Sequence, residues 1–293
     1  MRVFVTGASG FVGSAIVQEL LGAGHRVLGL ARSEESAQVL SAAGAEVHRG
    51  SLDDLGSLQR GAAAADGVIH TAYNHNFVEY EAAGQTDRRA IEALGKALAG
   101  SERPLIVTAG LAGFNLGRPA TEDDSPAASL RMSEAVAMEL AAQGVRAMVV
   151  RLAASVHDHN DHGFVPTLIN IARQTGEAAY VGEGYNCWPA VHRLDAARLY
   201  RLALEQGTAG ARYHGAADEG IPLRDIAAII GRHLNLPVVS KKPEEAAGHF
   251  GWMARFVGLD MPASSALTQQ RLGWHPTQPG LLADLEHGDY FSK

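Results

Sequence analysis

Cysteine is nearly missing from this chain. Cys187 is the single one among 293 residues, which excludes an internal disulfide framework and a cysteine metal cluster and fits a reduced, cytoplasmic setting. No apolar run is long enough to span a bilayer. The N-terminus carries no basic leader and enters a strand-like run at once, unlike a secretory signal. The net charge of −7 comes without a basic block, so neither nucleic acid nor a membrane is expected as a partner. Internal repeats, low-complexity tracts and polar linkers are also lacking. What is present is 46% hydrophobic residues, enough for a large core in one domain, or in one domain with a smaller lobe.

The most informative stretch is the first. Val3-Phe-Val5 reads as a buried strand, Gly7, Gly10 and Gly13 follow, and Ala15 to Leu21 is amphipathic. Strand, glycine turn and helix in that order suit a phosphate-binding βα unit. Gly7 allows the tight turn, Gly10 lets a pyrophosphate approach the backbone, and Gly13 lets helix and strand pack closely. Ser9, Phe11 and Val12 complete the loop. The helix start offers free N–H groups and the positive end of a dipole to an anion.

Beyond this unit strands and helices alternate. Strands are read over His25–Ala31, Ala45–Arg49, Asp66–Ala72, Pro104–Ala109 and Val145–Leu152. Helices are read over Ser33–Ala43, up to about Ala64, from about Phe77 to Leu98, and over Ala127–Ala142. The spacing predicts an α/β fold of Rossmann type, a doubly wound parallel sheet with its ligand at the carboxyl ends of the strands. Residues 1–160, completed by parts of 186–218, are expected to form the nucleotide-binding domain. Residues 161–293 carry no glycine-rich turn and read as a small, mainly helical substrate lobe, with a turn-rich stretch from Tyr180 to Pro189.

The second strand ends in Ala31-Arg32-Ser33. NAD selectivity usually places an acid here for the ribose 2′-OH. An apolar residue followed by arginine suits the 2′-phosphate of NADP(H) instead; a solvated arginine at a helix start is the plainer alternative. Asp53 is placed to meet the adenine edge, to N-cap the next helix, or both. Thr71 and Ala72 end the fourth strand, beside the cofactor, and Tyr73, Asn74 and His75 follow near the nicotinamide end. The loop from Arg151 to Phe164 holds His157, His159 and His162 with Asp158 and Asp161. Imidazole and carboxylate suit zinc or iron, but no helical i, i+4 pair fixes two ligands on one face. The loop therefore reads as a polar, substrate-contacting segment without a metal.

Thr6–Gly13, Gly50-Ser-Leu-Asp-Asp54, Arg151 leading to Val156-His157, Val191-His-Arg-Leu-Asp195 and Leu272-Gly-Trp-His-Pro276 together resemble the short-chain dehydrogenase/reductase superfamily, on its extended epimerase/dehydratase side. The resemblance covers nearly the whole chain and implies a Rossmann domain with a C-terminal substrate lobe. It implies a Ser or Thr after the fifth strand, which Thr108 matches, and a Tyr-x-x-x-Lys on the next helix, which is missing. The overlay puts Ala127 at the tyrosine and Arg131 at the lysine, as in atypical members. Arg131 would then take over the hold on the nicotinamide ribose, beside Thr108. Arginine cannot titrate near neutral pH and is a poor general acid. The proton is therefore expected from His157, His162, His75 or Tyr73, in that order.

The leading expectation is an NADPH-dependent oxidoreductase, monomeric or homodimeric, that transfers a hydride to a small carbonyl, imine or activated alkene. One alternative is a catalytically silent NADP(H)-binding sensor. Another is an epimerase or dehydratase with tightly held NAD, against which Arg32 speaks.

Overall fold

A computed structural model describes residues 1–74, 80–114, 116–125 and 132–292, with Tyr80 by its backbone alone. β1 (Arg2–Thr6) alternates its side chains between two apolar layers: Val3 and Val5 enter one, Phe4 the other. The chain then repeats helix and strand through α1 (Phe11–Gly22), β2 (Arg26–Ala31), α2 (Glu34–Ala42), β3 (Glu46–Arg49), α3 (Leu55–Ala63), β4 (Gly67–His70), α4 (Tyr80–Leu98), β5 (Leu105–Gly110), α5 (Ser133–Ala142) and β6 (Ala147–Leu152). It continues through β7 (Ser155–His157), α6 (Phe164–Thr175), β8 (Ala178–Val181), β9 (Cys187–His192), α7 (Arg193–Gln206), β10 (Arg212–Gly215), β11 (Asp218–Pro222), α8 (Leu223–Leu234) and β12 (Val238–Lys241). Four short helices close it: α9 (Ala246–Phe250), α10 (Ala254–Val257), α11 (Ala266–Leu272) and α12 (Leu281–His287).

Seven parallel strands form the central sheet in the order β10-β6-β5-β4-β1-β2-β3. This is the doubly wound Rossmann-type architecture expected from the alternation. The strand order reverses between β1 and β4, and a crevice opens there at the carboxyl edge. Helices α1, α2 and α7 cover one face and α3, α4 and α5 the other. β10 and α7 come from late in the chain, yet β10 extends the sheet beside β6 and α7 packs along α1. The smaller lobe has its own core, including Val165, Ile226, Phe250 and Leu281. Besides its helices it contributes to a β11-β9-β7 sheet and a β12-β8 pair. The stretch read as turn-rich therefore contains the end of β8 and the start of β9, with Trp188 buried. The starts expected for the helices at Phe77 and Ala127 lie outside the described residues. Among the described residues no helix is long and apolar enough to cross a membrane.

One charged group is fully buried near the sheet edge. Arg151 of β6 grips Glu134 of α5 with two bonds of 2.7 and 2.6 Å. It also donates to His214 Nε2 at 3.0 Å and to the Asp124 carbonyl at 2.8 Å, and lies over the Phe114 ring. Arg212 adds a third bond to Glu134, at 2.7 Å. Burial pushes the Glu134 carboxyl up, but the two guanidinium groups outweigh it and hold it below its usual range. Burial pushes His214 down to about 4, leaving it neutral and able to accept from Arg151. Glu134→Gln should strand a buried cation and cost about 3–5 kcal/mol near neutral pH. The folded carboxyl titrates below its ordinary value of 4.5, so its contribution is complete above that pH and fades as pH falls through the lowered value. Urea unfolding at neutral and at acid pH should show the gap between wild type and variant narrowing in acid.

Candidate functional site

The glycines after β1 have three separate duties. Gly7 has φ 69°, and a Cβ there would stand 2.7 Å from the Ala72 nitrogen and the Thr71 hydroxyl, so the turn presses on the chain leaving β4. A Cβ on Gly13 would stand 2.0 Å from the Gly7 carbonyl oxygen, so the first turn of α1 rests directly on the turn. A Cβ on Gly10 would meet only that same oxygen, at 3.2 Å, and otherwise faces open space. No side chain caps α1, whereas Ser33 caps α2 and Asp54 caps α3. The first N–H groups of α1, at Phe11, Val12 and Gly13, therefore stand at the β1/β4 crevice without a side-chain acceptor. Exposed Ser9 lies beside them. Bare donors, an open glycine and a helix dipole fit the pyrophosphate of a dinucleotide.

At the end of β2, Arg32 is exposed and has no hydrogen-bond or ionic partner among the described residues. Neighbouring Ser33 is spent on the cap of α2, accepting from the Ser36 N–H at 3.1 Å. Arg49 of β3 donates to the Ser33 carbonyl at 2.9 Å and pairs with Glu34. Asp53 is exposed, and the cap of α3 falls to Asp54, which accepts from the Ser57 N–H at 2.9 Å. The capping role read for Asp53 thus belongs one residue on. Thr71 donates to the Thr6 carbonyl at 2.8 Å and locks the exit of β4. Ala72 and Tyr73 follow, half-buried on the rim.

Three of the expected catalytic groups stand elsewhere than the sequence suggests. Buried Thr108 donates to the His70 carbonyl at 2.8 Å and meets the Tyr200 hydroxyl at 2.6 Å. Its place in the alternation of β5 turns it toward α7, where its hydroxyl is engaged within the fold. His157 lies on β7, fully buried, with Nδ1 2.8 Å from Asp284 and its ring edge-on to His192. It is not on an open rim. His162 is exposed, and its ring meets Phe11 edge-on at 5.6 Å, beside the phosphate loop. His75, Ala127 and Arg131 lie outside the described residues.

The Asp/His loop thus converges on Phe11. Asp158 binds the Arg193 guanidinium at 2.9 and 3.1 Å, and that guanidinium lies 4.7 Å over the Phe11 ring. Burial pushes the Asp161 carboxyl up to about 6. Among the described residues no three His, Cys, Asp or Glu side chains converge to hold a metal ion. Two features escaped the sequence reading. One is the buried chain from Thr6 through His70 and Asp87 to Ser133; its signal was a histidine inside an apolar strand. The other is Arg193, signalled by a cation in the first turn of a helix, where cations are disfavoured.

The sequence profile of the NAD dependent epimerase/dehydratase family matches residues 3–97. An uncharacterised protein of Schizosaccharomyces pombe is 52% identical over 99% of this chain and 100% of its own length. The 4-hydroxy-2-methyl-3-oxo-4-farnesyl-3,4-dihydroquinoline-1-oxide ketoreductase of Stigmatella aurantiaca is 27% identical, covering 90% of this chain and 84% of its own. Among solved structures, the dTDP-glucose 4,6-dehydratase DesIV of Streptomyces venezuelae, with NAD bound, superposes with a TM-score of 0.79 over 99% of this chain and 96% of its own. At 19% identity that likeness shows the fold.

The glycine geometry separates folding from binding. Gly13→Ala should cost roughly 3 kcal/mol or more, because backbone must move to admit the methyl group. Gly10→Ala should leave the cofactor-free melting temperature near wild type yet lose dinucleotide binding, because its methyl group enters the anion's space. Thermal melts and calorimetric titration with NADPH and NADH check both; a Gly10→Ala variant that binds normally would remove the pyrophosphate from this loop.

Proposed function

Because the chain belongs to the NAD dependent epimerase/dehydratase family, within the short-chain dehydrogenase/reductase superfamily, we propose that it is an NADPH-dependent reductase of a carbonyl on a small, largely apolar molecule. Arg32 carries the cofactor choice: a guanidinium without a partner among the described residues stands where an acid would serve a ribose diol. A 2′-phosphate would draw it into charge-assisted bonds. The bound cofactor supplies the hydride. The N–H groups at the start of α1 hold the pyrophosphate, and Thr71 fixes the rim on which the nicotinamide end would rest. Tyr73, half-buried directly beyond that rim, is assigned the protonation of the carbonyl oxygen.

Two observations support an apolar carbonyl. The Stigmatella relative is named as a ketoreductase of a farnesylated quinoline. In this chain Ala112 and Ala154, which follow β5 and β6, pack against the lobe's apolar cluster. In that cluster the Phe164 ring lies 4.8 Å from Phe256 and 5.5 Å from Trp188.

In calorimetry NADPH should bind at least about tenfold more tightly than NADH, and Arg32→Ala should remove on the order of 1.5–3 kcal/mol from NADPH binding alone. Equal dissociation constants would overturn the cofactor choice. With a ketone found by screening NADPH oxidation, Tyr73→Phe should lower kcat by roughly 10²–10⁴ while leaving the NADPH dissociation constant unchanged. A chain that binds NADPH but oxidises it with no member of a broad carbonyl and imine panel is the sensor. One that retains NAD through purification and interconverts stereoisomers is the epimerase.

A further inference from the structure

The Asp158–His162 loop is held from two sides. On one side stands the C-terminal segment. Asp284 of α12 accepts from His157 Nδ1 at 2.8 Å. The Tyr290 hydroxyl accepts from the Asp158 N–H at 3.3 Å and donates to the Asp161 carboxylate at 3.2 Å, and Asp289 pairs with His159. On the other side stands the phosphate loop. Arg193 and His162 bracket the Phe11 ring, and Asp158 holds Arg193.

We propose that Arg193 is a positioning residue for the dinucleotide pyrophosphate and that the C-terminal segment sets it through Asp158. Helices α1 and α7 run parallel: Phe11 meets Arg193 at one end, and Glu19 meets Arg201 at 2.7 Å two turns on. Their positive ends therefore lie side by side. Arg193 is the first residue of α7, so a guanidinium stands where a helix dipole repels it. The ion pair with Asp158 offsets that repulsion, as does Asp195 in the same first turn. An anion at the uncapped start of α1 relieves the remainder, and the cation stacked on Phe11 steadies the turn that receives it. Tyr290 and Asp284 fix the loop that carries Asp158, and so fix where the guanidinium points.

This inference rests on dinucleotide binding at α1, not on the choice of NADPH or on carbonyl reduction. The test is calorimetry of the full chain with NADPH and NADH separately. Arg193→Gln should weaken both by about tenfold and leave their ratio unchanged, since both carry the pyrophosphate. Loss confined to NADPH would reassign the residue to the 2′-phosphate and overturn the proposal. Arg193→Lys should recover part of the loss by keeping the charge. Tyr290→Phe should weaken both cofactors about threefold and add nothing to Arg193→Gln in the double variant, because one acts through the other. Full additivity would overturn the link to the C-terminal segment, and a folded Arg193→Gln that binds both cofactors as wild type does would overturn the whole. Should Arg193→Gln not fold, hydrogen exchange on wild type decides: NADPH should slow exchange at residues 158–163 and 289–292, and unchanged exchange there would count against the proposal.

Discussion

The contact between Gly13 and the Gly7 carbonyl is the constraint on which the molecule's arrangement depends. A Cβ at Gly13 would come within 2.0 Å of that oxygen, so only glycine lets α1 begin this close to the end of β1. Starting there, the helix points its first turn into the crevice where the strand order reverses. The same start sets α7, which lies parallel to α1. α7 carries buried Asp195, whose carboxylate accepts from the Thr277 N–H at 3.0 Å and the Gln278 N–H at 2.9 Å. Trp274 Nε1–H donates to the Asp195 carbonyl at 2.9 Å. A backbone approach near residue 10 thus governs, through two helices, where the last twenty residues of the chain attach.

The floor under the crevice is polar and closed to water. Ser133 donates to Asp87 at 2.5 Å, Asp87 lies 3.0 Å from His70 Nε2, and His70 Nδ1 lies 2.8 Å from the Thr6 hydroxyl; all four are buried. Buried polar groups cost several kcal/mol each when left without partners, on the order of 1–3 by mutational measures, so such a chain holds its members in one arrangement. It ties α4 and α5 to the exits of β1 and β4. Thr108 joins it by donating to the His70 carbonyl. The hydroxyl that the sequence offers for chemistry is part of the scaffold that keeps the rim still.

This is also where legibility from sequence stops. The sheet could be read because buried strands and covering helices impose a period on the apolar residues, and because three glycines at fixed spacing have few other uses. The lobe's strands were obscured: β8 and β12 are short and only partly buried, and β9 starts at Cys187 directly after Asn186, so its pattern reads as a turn. Site residues were legible as types but not as directions. Thr108 faces α7 because of its parity along β5, which a one-residue change in register would reverse. His157 is buried because β7 pairs with β9, a contact across more than thirty residues that no local pattern announces. The cap of α3 moved from Asp53 to Asp54 for the same reason: two adjacent acids differ only in which one the backbone turns toward the helix.

Charge shows the distinction most clearly. Most arginines here are engaged by carboxylates or carbonyls: Arg2 and Arg26 by Glu46, Arg151 and Arg212 by Glu134, Arg103 by four backbone oxygens. Lack of a partner is not by itself a sign of function, because Arg60 and Arg255 also have none among the described residues. Position separates them. Arg60 lies in the last turn of α3, where the helix dipole favours a cation, and Arg255 is the exposed residue of a short helix of the lobe. Arg32 stands at the carboxyl edge of the sheet, two residues before the acidic first turn of α2. Glu34 in that turn is taken by Arg49, and neither it nor Glu35 forms an ion pair with Arg32 among the described residues. Its positive charge is therefore available at the edge where a doubly wound sheet receives its nucleotide.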